Sequence, residues 1–265
     1  MRLTFDDLPR KTRNAVHQQV GGVRGFSPAT RGNHAAFAGT VRGVASLVFV
    51  KGSPLSDIRE AGFMRREASV LRHVWPLGPA LFWTVEAGGW FLIGMEHIAG
   101  HHPSYEPGSV DLDLVAAAVD ECAGLLCPRD LKDYGIRFDR LGADAAPVAG
   151  ASLIHADLNP HNVLIQDGQP RVIDWAFATR GAWWLEGALL LPWLMQNGHT
   201  PARAEEWAAE KIPGFAAAAP LDEFTHLLTV LWREHVPNTW GRRYAATVRA
   251  WHSWRRGGPQ LAPAR

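Results

Sequence analysis

The stretch His155-Ala156-Asp157-Leu158-Asn159-Pro160-His161-Asn162-Val163-Leu164-Ile165 decides how this chain is read. It sets a His, an Asp and an Asn between two short apolar runs, Ser152-Leu153-Ile154 and Val163-Leu164-Ile165. Asp167-Gly168 follows, a dipeptide that favours the tight turn of a β-hairpin because both residues tolerate positive φ. A further run, Arg171-Val172-Ile173, ends on Asp174. Asp157, Asn162 and Asp174 thus stand at the ends of short strands, positions that face a cleft more often than a core. A carboxylate accepts a proton or binds a hard cation, and an amide carbonyl is a neutral oxygen ligand suited to Mg2+. A plain polar loop with a structural His is the competing reading, but it does not account for the spacing of the three groups.

The order His-x-Asp-x-x-x-x-Asn, then a hairpin, then Asp resembles the catalytic loop and metal-binding segment of the protein-kinase-like fold. Within that fold it is most similar to the aminoglycoside phosphotransferase family. The loop reads Asp-Leu-Asn-Pro-His-Asn, without the Lys two residues after the Asp that serine/threonine kinases carry. The second Asp lies in Ile-Asp-Trp-Ala rather than Asp-Phe-Gly, and no Ala-Pro-Glu follows. The resemblance implies a bilobal α+β protein-kinase-like fold. A five-stranded antiparallel sheet with its helix would occupy residues 1–96, and a mostly helical C-terminal lobe holding the catalytic strands residues 97–265. It also implies transfer of the γ-phosphoryl of ATP or GTP to a hydroxyl. Asp157 would orient that hydroxyl and accept its proton, while Asn162 and Asp174 would hold Mg2+. His155 would fix the loop rather than act as a base.

The remaining chain supplies parts consistent with this reading. Leu47-Val48-Phe49-Val50-Lys51-Gly52 is a short apolar strand ending on a Lys. A helix follows from Ser56 or Asp57, with Met64, Leu71 and Val74 on one face. Glu67 falls on the same stripe, and a carboxylate there requires a cationic partner. By the resemblance that partner is Lys51, which then neutralises nucleotide phosphates; Glu60 with an exposed Lys51 is the alternative. The segment Gly21–Gly32 stands where the fold carries its nucleotide-covering hairpin. Its small residues would let backbone N–H groups approach phosphate, with Ser27 donating a hydrogen bond. Leu81–Glu86 and Trp90–Met95 read as the last two strands of the sheet. Glu96-His97-Ile98 then reads as the hinge, where adenine would bond the backbone of Glu96 and Ile98 with Met95 behind it. His97, His101 and His102 suggest a metal site, but no Cys or carboxylate accompanies them at zinc spacing.

Several helices are expected: 4–20 with Thr4 as its cap, Leu112–Leu126 carrying Cys122 with Cys127 just beyond on the same helix, Trp183–Leu191, Pro201–Lys211 after Thr200, Leu221–Arg233 and Arg243–Trp254. Residues 102–150 hold nine acidic residues against four basic ones. That is either a solvated surface or an attraction for a cationic acceptor. Eight of the 12 Trp lie from Trp183 onward, mostly for helix packing, with one or two able to stack on an acceptor.

Length and composition bound the rest. The 265 residues allow a sizeable core in one or two domains, and 47% hydrophobic with 20% charged residues fit a globular protein. A net charge of +1 gives no argument for nucleic acid. The basic and aromatic segment Arg242–Arg256 reads as an amphipathic helix. Two Cys exclude a disulfide framework and fit a reducing compartment. With neither a signal-peptide core nor a membrane-length apolar run, the chain reads as cytoplasmic. The acceptor is expected to be a small hydroxylated molecule, cationic where it carries amines, such as an aminoglycoside or another amine-bearing antibiotic. A housekeeping amino alcohol or sugar, or a non-catalytic nucleotide-binding role, are the other readings.

Overall fold

A computed structural model describes residues 3–30, 35–234 and 239–258. The chain divides into two compact units. One comprises Met1–Ala99 with Arg171–Phe177, the other Gly100–Pro170 with Ala178–Arg265. The segment that carries Asp174 therefore packs with the first unit, although the second begins some 70 residues earlier in the chain.

The first unit runs α1 (Arg10–Val20), β1 (Gly25–Pro28), β2 (Phe37–Arg42), β3 (Leu47–Pro54), α2 (Ile58–Val70), β4 (Leu81–Ala87) and β5 (Trp90–Glu96). The strands form one antiparallel sheet in the order β1-β2-β3-β5-β4. Strand β5 lies inside the sheet and is buried from Trp90 to Met95, which explains its unbroken apolar run. Strands β4 and β5 shift register between Leu81 and Trp83. Gly94 permits this, because a Cβ there would meet the Trp83 indole. Phe5, Leu8, Val16, Val50, Trp90 and Leu92 belong to the core on the α1 side of the sheet. On α2, Asp57 caps the first turn by accepting from the Glu60 N–H at 3.0 Å.

The first helix starts later than the sequence reading placed it. Thr4 does not open it: the Thr4 N–H and hydroxyl each donate to Asp7 Oδ2 at 2.7 Å and close a separate turn. Pro9 then enters with ψ near 146°, and a residue before proline avoids the helical region, so α1 begins at Arg10. It ends at Gly21, left-handed with φ 69°, while the Gly22 N–H returns to His17 O at 2.8 Å. These two glycines stop the helix. On α2, Met64 and Glu67 share the buried stripe, but Leu71 caps the helix and Val74 lies beyond it.

The second unit runs α3 (Asp111–Gly124), β6 (Ser152–Ile154), β7 (Val163–Gln166), β8 (Gln169–Val172, whose last two residues belong to the first unit), β9 (Thr179–Gly181), α4 (Leu185–Gln196), α5 (Pro201–Lys211), α6 (Phe215–Ala218), α7 (Leu221–Glu234) and α8 (Thr239–Arg255). β6 pairs antiparallel with β9. Asp167 (φ 52°) and Gly168 (φ 73°) make the turn after β7. Every residue of α4 from Leu185 to Met195 is buried, and α3, α5 and α8 pack around it. Thr200 caps α5 by accepting from the Arg203 N–H. The helix expected over Leu112–Leu126 stops at Gly124: Leu125 turns extended, Leu126 is 88% exposed, and Cys127 precedes Pro128 off the helix. Trp183 and Trp184 precede α4 rather than opening it.

Candidate active site

In the first unit, Lys51 sits on β3 between Ala38 of β2 and Ile93 of β5. Its Nζ donates to Glu67 Oε1 at 2.8 Å and Oε2 at 3.0 Å, and to Asp174 Oδ1 at 2.8 Å. The lysine takes Glu67 from the buried face of α2 and not Glu60. Burial alone would lower the Lys51 pKa, but Asp174 and Glu67 outweigh it and hold the ammonium well above the ordinary lysine range. Burial pushes the fully buried Glu67 carboxyl up; Lys51 pulls against it, and Asp174, competing for the same cation, adds to the rise.

A second set of contacts brings Asp174 to Lys51. Arg171 forks onto Glu96, with NH2 to Oε2 at 2.6 Å and NH1 to Oε1 at 3.2 Å, and also reaches Gly78 O. The Val172 N–H donates to Leu77 O at 2.8 Å. Trp175 is fully buried and its indole N–H returns to Val172 O, while Arg66 donates to Ala176 O. Between these anchors Asp174 adopts φ 65°, a left-handed conformation that a non-glycine residue keeps only when its surroundings impose it. The Glu96 carboxyl lies below the usual carboxylate range: burial would raise it, but Arg171 and the Ala80 N–H prevail.

The expected hinge leaves β5 here. Met95 is buried and pairs with Phe49 and Leu81. The Glu96 N–H is already committed to Ala80 O at 2.9 Å, so from this residue only the carbonyl can serve a nucleobase. Ile98 follows in irregular, half-buried chain. Ser27 is exposed in β1 opposite Thr40 rather than in a turn, and residues 31–34 of the β1–β2 connection lie outside the described residues.

In the second unit, the loop after β6 holds Asp157. The Asn162 amide Nδ2 donates to Asp157 O at 2.9 Å and to Asp157 Oδ2 at 3.0 Å. Both partners are acceptors, which fixes the amide orientation and turns the Asn162 carbonyl oxygen away from Asp157. The buried His155 accepts the Asp157 N–H on Nδ1 at 3.2 Å. Ala156 between them has φ 68°. Asn159 accepts the His161 N–H, and Tyr105 donates its buried hydroxyl to Leu158 O at 3.1 Å.

Glu186 holds this loop from below, and the sequence reading missed it. It is fully buried on α4, and its Oε2 accepts the His155 N–H at 2.6 Å and the Ala156 N–H at 3.3 Å. Its other oxygen is buried without a partner. Burial pushes this carboxyl up to about 7, against the two backbone donors that favour its charge, and Asp157 adds to the rise. The available signal was a lone carboxylate in the apolar run Trp183-Trp184-Leu185-Glu186-Gly187-Ala188.

Asn162 in the second unit and Asp174 in the first each carry a hard oxygen of the kind Mg2+ takes. Among the described residues no group of three or more His, Cys, Asp or Glu gathers as a metal site, the histidines near the hinge included.

Residues 107–221 match the model of the phosphotransferase enzyme family, a span that includes Asp157, Asn162, Asp174 and Glu186. No curated protein matches the chain in sequence. Solved structures share its fold. The aminoglycoside phosphotransferase APH(4)-Ia, as a thermostable mutant in a ternary complex with ADP and hygromycin B, aligns with TM-score 0.60 at 18% identity over 89% of this chain and 97% of that one. The choline kinase LicA from Streptococcus pneumoniae aligns with TM-score 0.64 at 12% identity over 91% and 99%. The macrolide 2'-phosphotransferase MphH from Brachybacterium faecium aligns with TM-score 0.51 at 16% identity over 88% and 96%. The chain thus shares the protein-kinase-like fold of these phosphotransferases, and the phosphotransferase family model matches its middle part. The matched family is the one that the stretch His155–Ile165 resembles.

Proposed function

We propose that this protein transfers the γ-phosphoryl of ATP or GTP to a hydroxyl of a small amine-bearing acceptor. The observation that carries this reading is the loop geometry of the second unit. Asp157 presents a carboxylate whose position is fixed by Asn162 and whose backbone is pinned through His155, Ala156 and Glu186. A base held that rigidly is preorganised for a hydroxyl. The acceptor oxygen forms the new bond to the γ-phosphorus as the bond to the bridging oxygen breaks and the nucleoside diphosphate leaves. The hydroxyl proton passes to Asp157. Lys51, charged at all working pH, neutralises phosphate oxygens, and Glu67 aligns it. Asn162 of the second unit and Asp174 of the first are the residues that would hold Mg2+, and the cation would offset the charge developing on the phosphates. The Glu96 carbonyl and the Ile98 N–H receive the nucleobase with Met95 behind it, and Ser27 in β1 contributes to the phosphate cover.

An aminoglycoside-like or other amine-bearing antibiotic is the acceptor we favour, with resistance as the physiological outcome. The APH(4)-Ia complex with hygromycin B supports it by fold. A housekeeping amino alcohol is the second reading, supported in the same way by choline kinase. A cytoplasmic setting fits the free thiols of Cys122 and Cys127, and no helix of the described residues is long and apolar enough to cross a membrane. The test is a turnover panel of antibiotics and amino alcohols with Mg2+ and ATP or GTP. A phosphorylated ester supports the reading; nucleotide binding without transfer to any hydroxyl overturns it.

A further inference from the structure

Glu186 holds the two residues before Asp157. The residue after it is held by a different part of the chain. Leu158 is buried, and its carbonyl accepts the hydroxyl of Tyr105 at 3.1 Å. Tyr105 is only 1% exposed, in the irregular segment between Gly100 and α3. Burial pushes its phenol far above the ordinary tyrosine range, and Glu186 and Asp157 add to the rise. The hydroxyl therefore keeps its proton and stays a donor.

That segment is fastened at both ends. At its start the His101 N–H donates to Ile165 O at 3.2 Å, and the Ile165 N–H donates to His101 O at 2.8 Å. His102 Nδ1 lies 2.9 Å from Val163 O; a carbonyl can only accept, so Nδ1 carries the proton. Gly100 permits this approach, because a Cβ there would stand 2.6 Å from Ile165 O. At the far end the Ser104 N–H donates to Asp111 Oδ2 of α3 at 2.9 Å. His199, just past the end of α4, donates Nε2–H to Tyr105 O at 3.0 Å. Burial lowers the His199 pKa against the pull of the Tyr105 and Glu106 backbone, so the neutral ring makes this bond.

A tyrosine buried only for packing needs some acceptor for its hydroxyl, and any nearby carbonyl would serve. This one takes the carbonyl next to the base. With Glu186 on one side and Tyr105 on the other, Asp157 is braced before and after. His199 in turn fixes the backbone of Tyr105 itself. A base displaced by about 1 Å loses on the order of 100-fold in rate, so a brace of this kind bears on turnover and not on folding alone.

We propose that Tyr105 is a positioning residue for Asp157 and that His199 positions Tyr105. This rests on the reading of Asp157 as the hydroxyl-orienting base, but amide exchange tests the brace apart from catalysis. The experiment compares the full chain with Tyr105→Phe, His199→Leu, His199→Gln and Val248→Ala. Hydrogen exchange of the 156–162 amides, kcat, nucleotide Kd and the ratio of phosphate ester to inorganic phosphate are measured on each. Tyr105→Phe is expected to speed exchange in that loop, lower kcat roughly 10- to 100-fold, leave nucleotide Kd unchanged and shift product toward inorganic phosphate. His199→Leu should follow it, and His199→Gln, which keeps an N–H donor, should recover most of kcat. Val248→Ala opens a cavity in α8 and lowers Tm, but should leave loop exchange and kcat at wild-type values well below its midpoint. If Tyr105→Phe loosens the loop while the wild type phosphorylates no hydroxyl, the brace stands and the catalytic reading fails. Unchanged loop exchange in Tyr105→Phe, kcat retained in Tyr105→Phe or His199→Leu, or equal losses in Val248→Ala would overturn the proposal.

Discussion

Lys51 Nζ lies 2.8 Å from Asp174 Oδ1, across 123 residues of sequence, while the same ammonium holds both oxygens of Glu67. One cation thus serves two carboxylates. Asp174 reaches it because Arg171 clamps Glu96 and Trp175 buries its ring next door. A nucleotide phosphate drawing on Lys51 would compete with Asp174 for that charge and leave Asp174 available to a cation.

Asp174→Ala should therefore remove most nucleotide turnover at any Mg2+ concentration while leaving the Lys51–Glu67 pair and the fold intact. Circular dichroism and a coupled ADP assay check this together. Near wild-type turnover at saturating Mg2+ would mean that Asp174 binds no catalytic metal.

Asp157→Asn keeps the shape of the side chain and loses its charge. We expect kcat to fall by roughly 100-fold or more, the range for a positioned acid–base group, with nucleotide Kd little changed. Steady-state kinetics beside nucleotide titration separate the two. Loss of nucleotide affinity with kcat retained would move Asp157 away from the acceptor.

Lys51→Ala leaves Glu67 buried without its cation, and breaking one side of a buried pair costs about 3–5 kcal/mol. Tm should drop clearly and activity with it. Lys51→Met with Glu67→Gln should recover much of the stability and none of the activity. Equal Tm values for the single and double variants would show that the buried charge is not the cause.

Glu186 makes stability depend on pH. Its carboxyl titrates near 7 in the folded chain against 4.5 as an ordinary glutamate, so between those values the folded state binds the extra proton. Stability from this group is fully present below about 4.5 and is lost as pH rises through about 7. The full effect is up to about 3 kcal/mol. Glu186→Gln stays neutral, retains an acceptor for the His155 and Ala156 N–H groups, and should flatten the pH dependence across that window. Urea unfolding at several pH values measures it. An unchanged slope would show that Glu186 does not titrate there.

Much of this is legible in sequence where the signal is local. Short strands, the Asp167-Gly168 turn and the Thr200 cap follow from neighbouring residues alone. Glu67 is legible because a carboxylate on an apolar stripe has to find a cation. Other features depend on partners far along the chain. Arg171 and Glu96 are 75 residues apart, and only their meeting explains why the Asp174 segment packs with the sheet. Gly21 and Gly22 also end α1, a role that shows only once the helix before them is placed. Glu186 looks like one more helix residue until the two N–H groups of the catalytic loop are seen to converge on it.

The most direct test of the central claim follows the fate of the γ-phosphoryl. The wild-type protein and Asp157→Asn are incubated with Mg2+, ATP or GTP, and the acceptor panel, and products are read by phosphorus NMR and mass spectrometry. The account predicts a phosphate ester on an amine-bearing acceptor with stoichiometric nucleoside diphosphate in the wild type, and almost none in Asp157→Asn. Release of inorganic phosphate alone, or equal ester formation by both proteins, would contradict it.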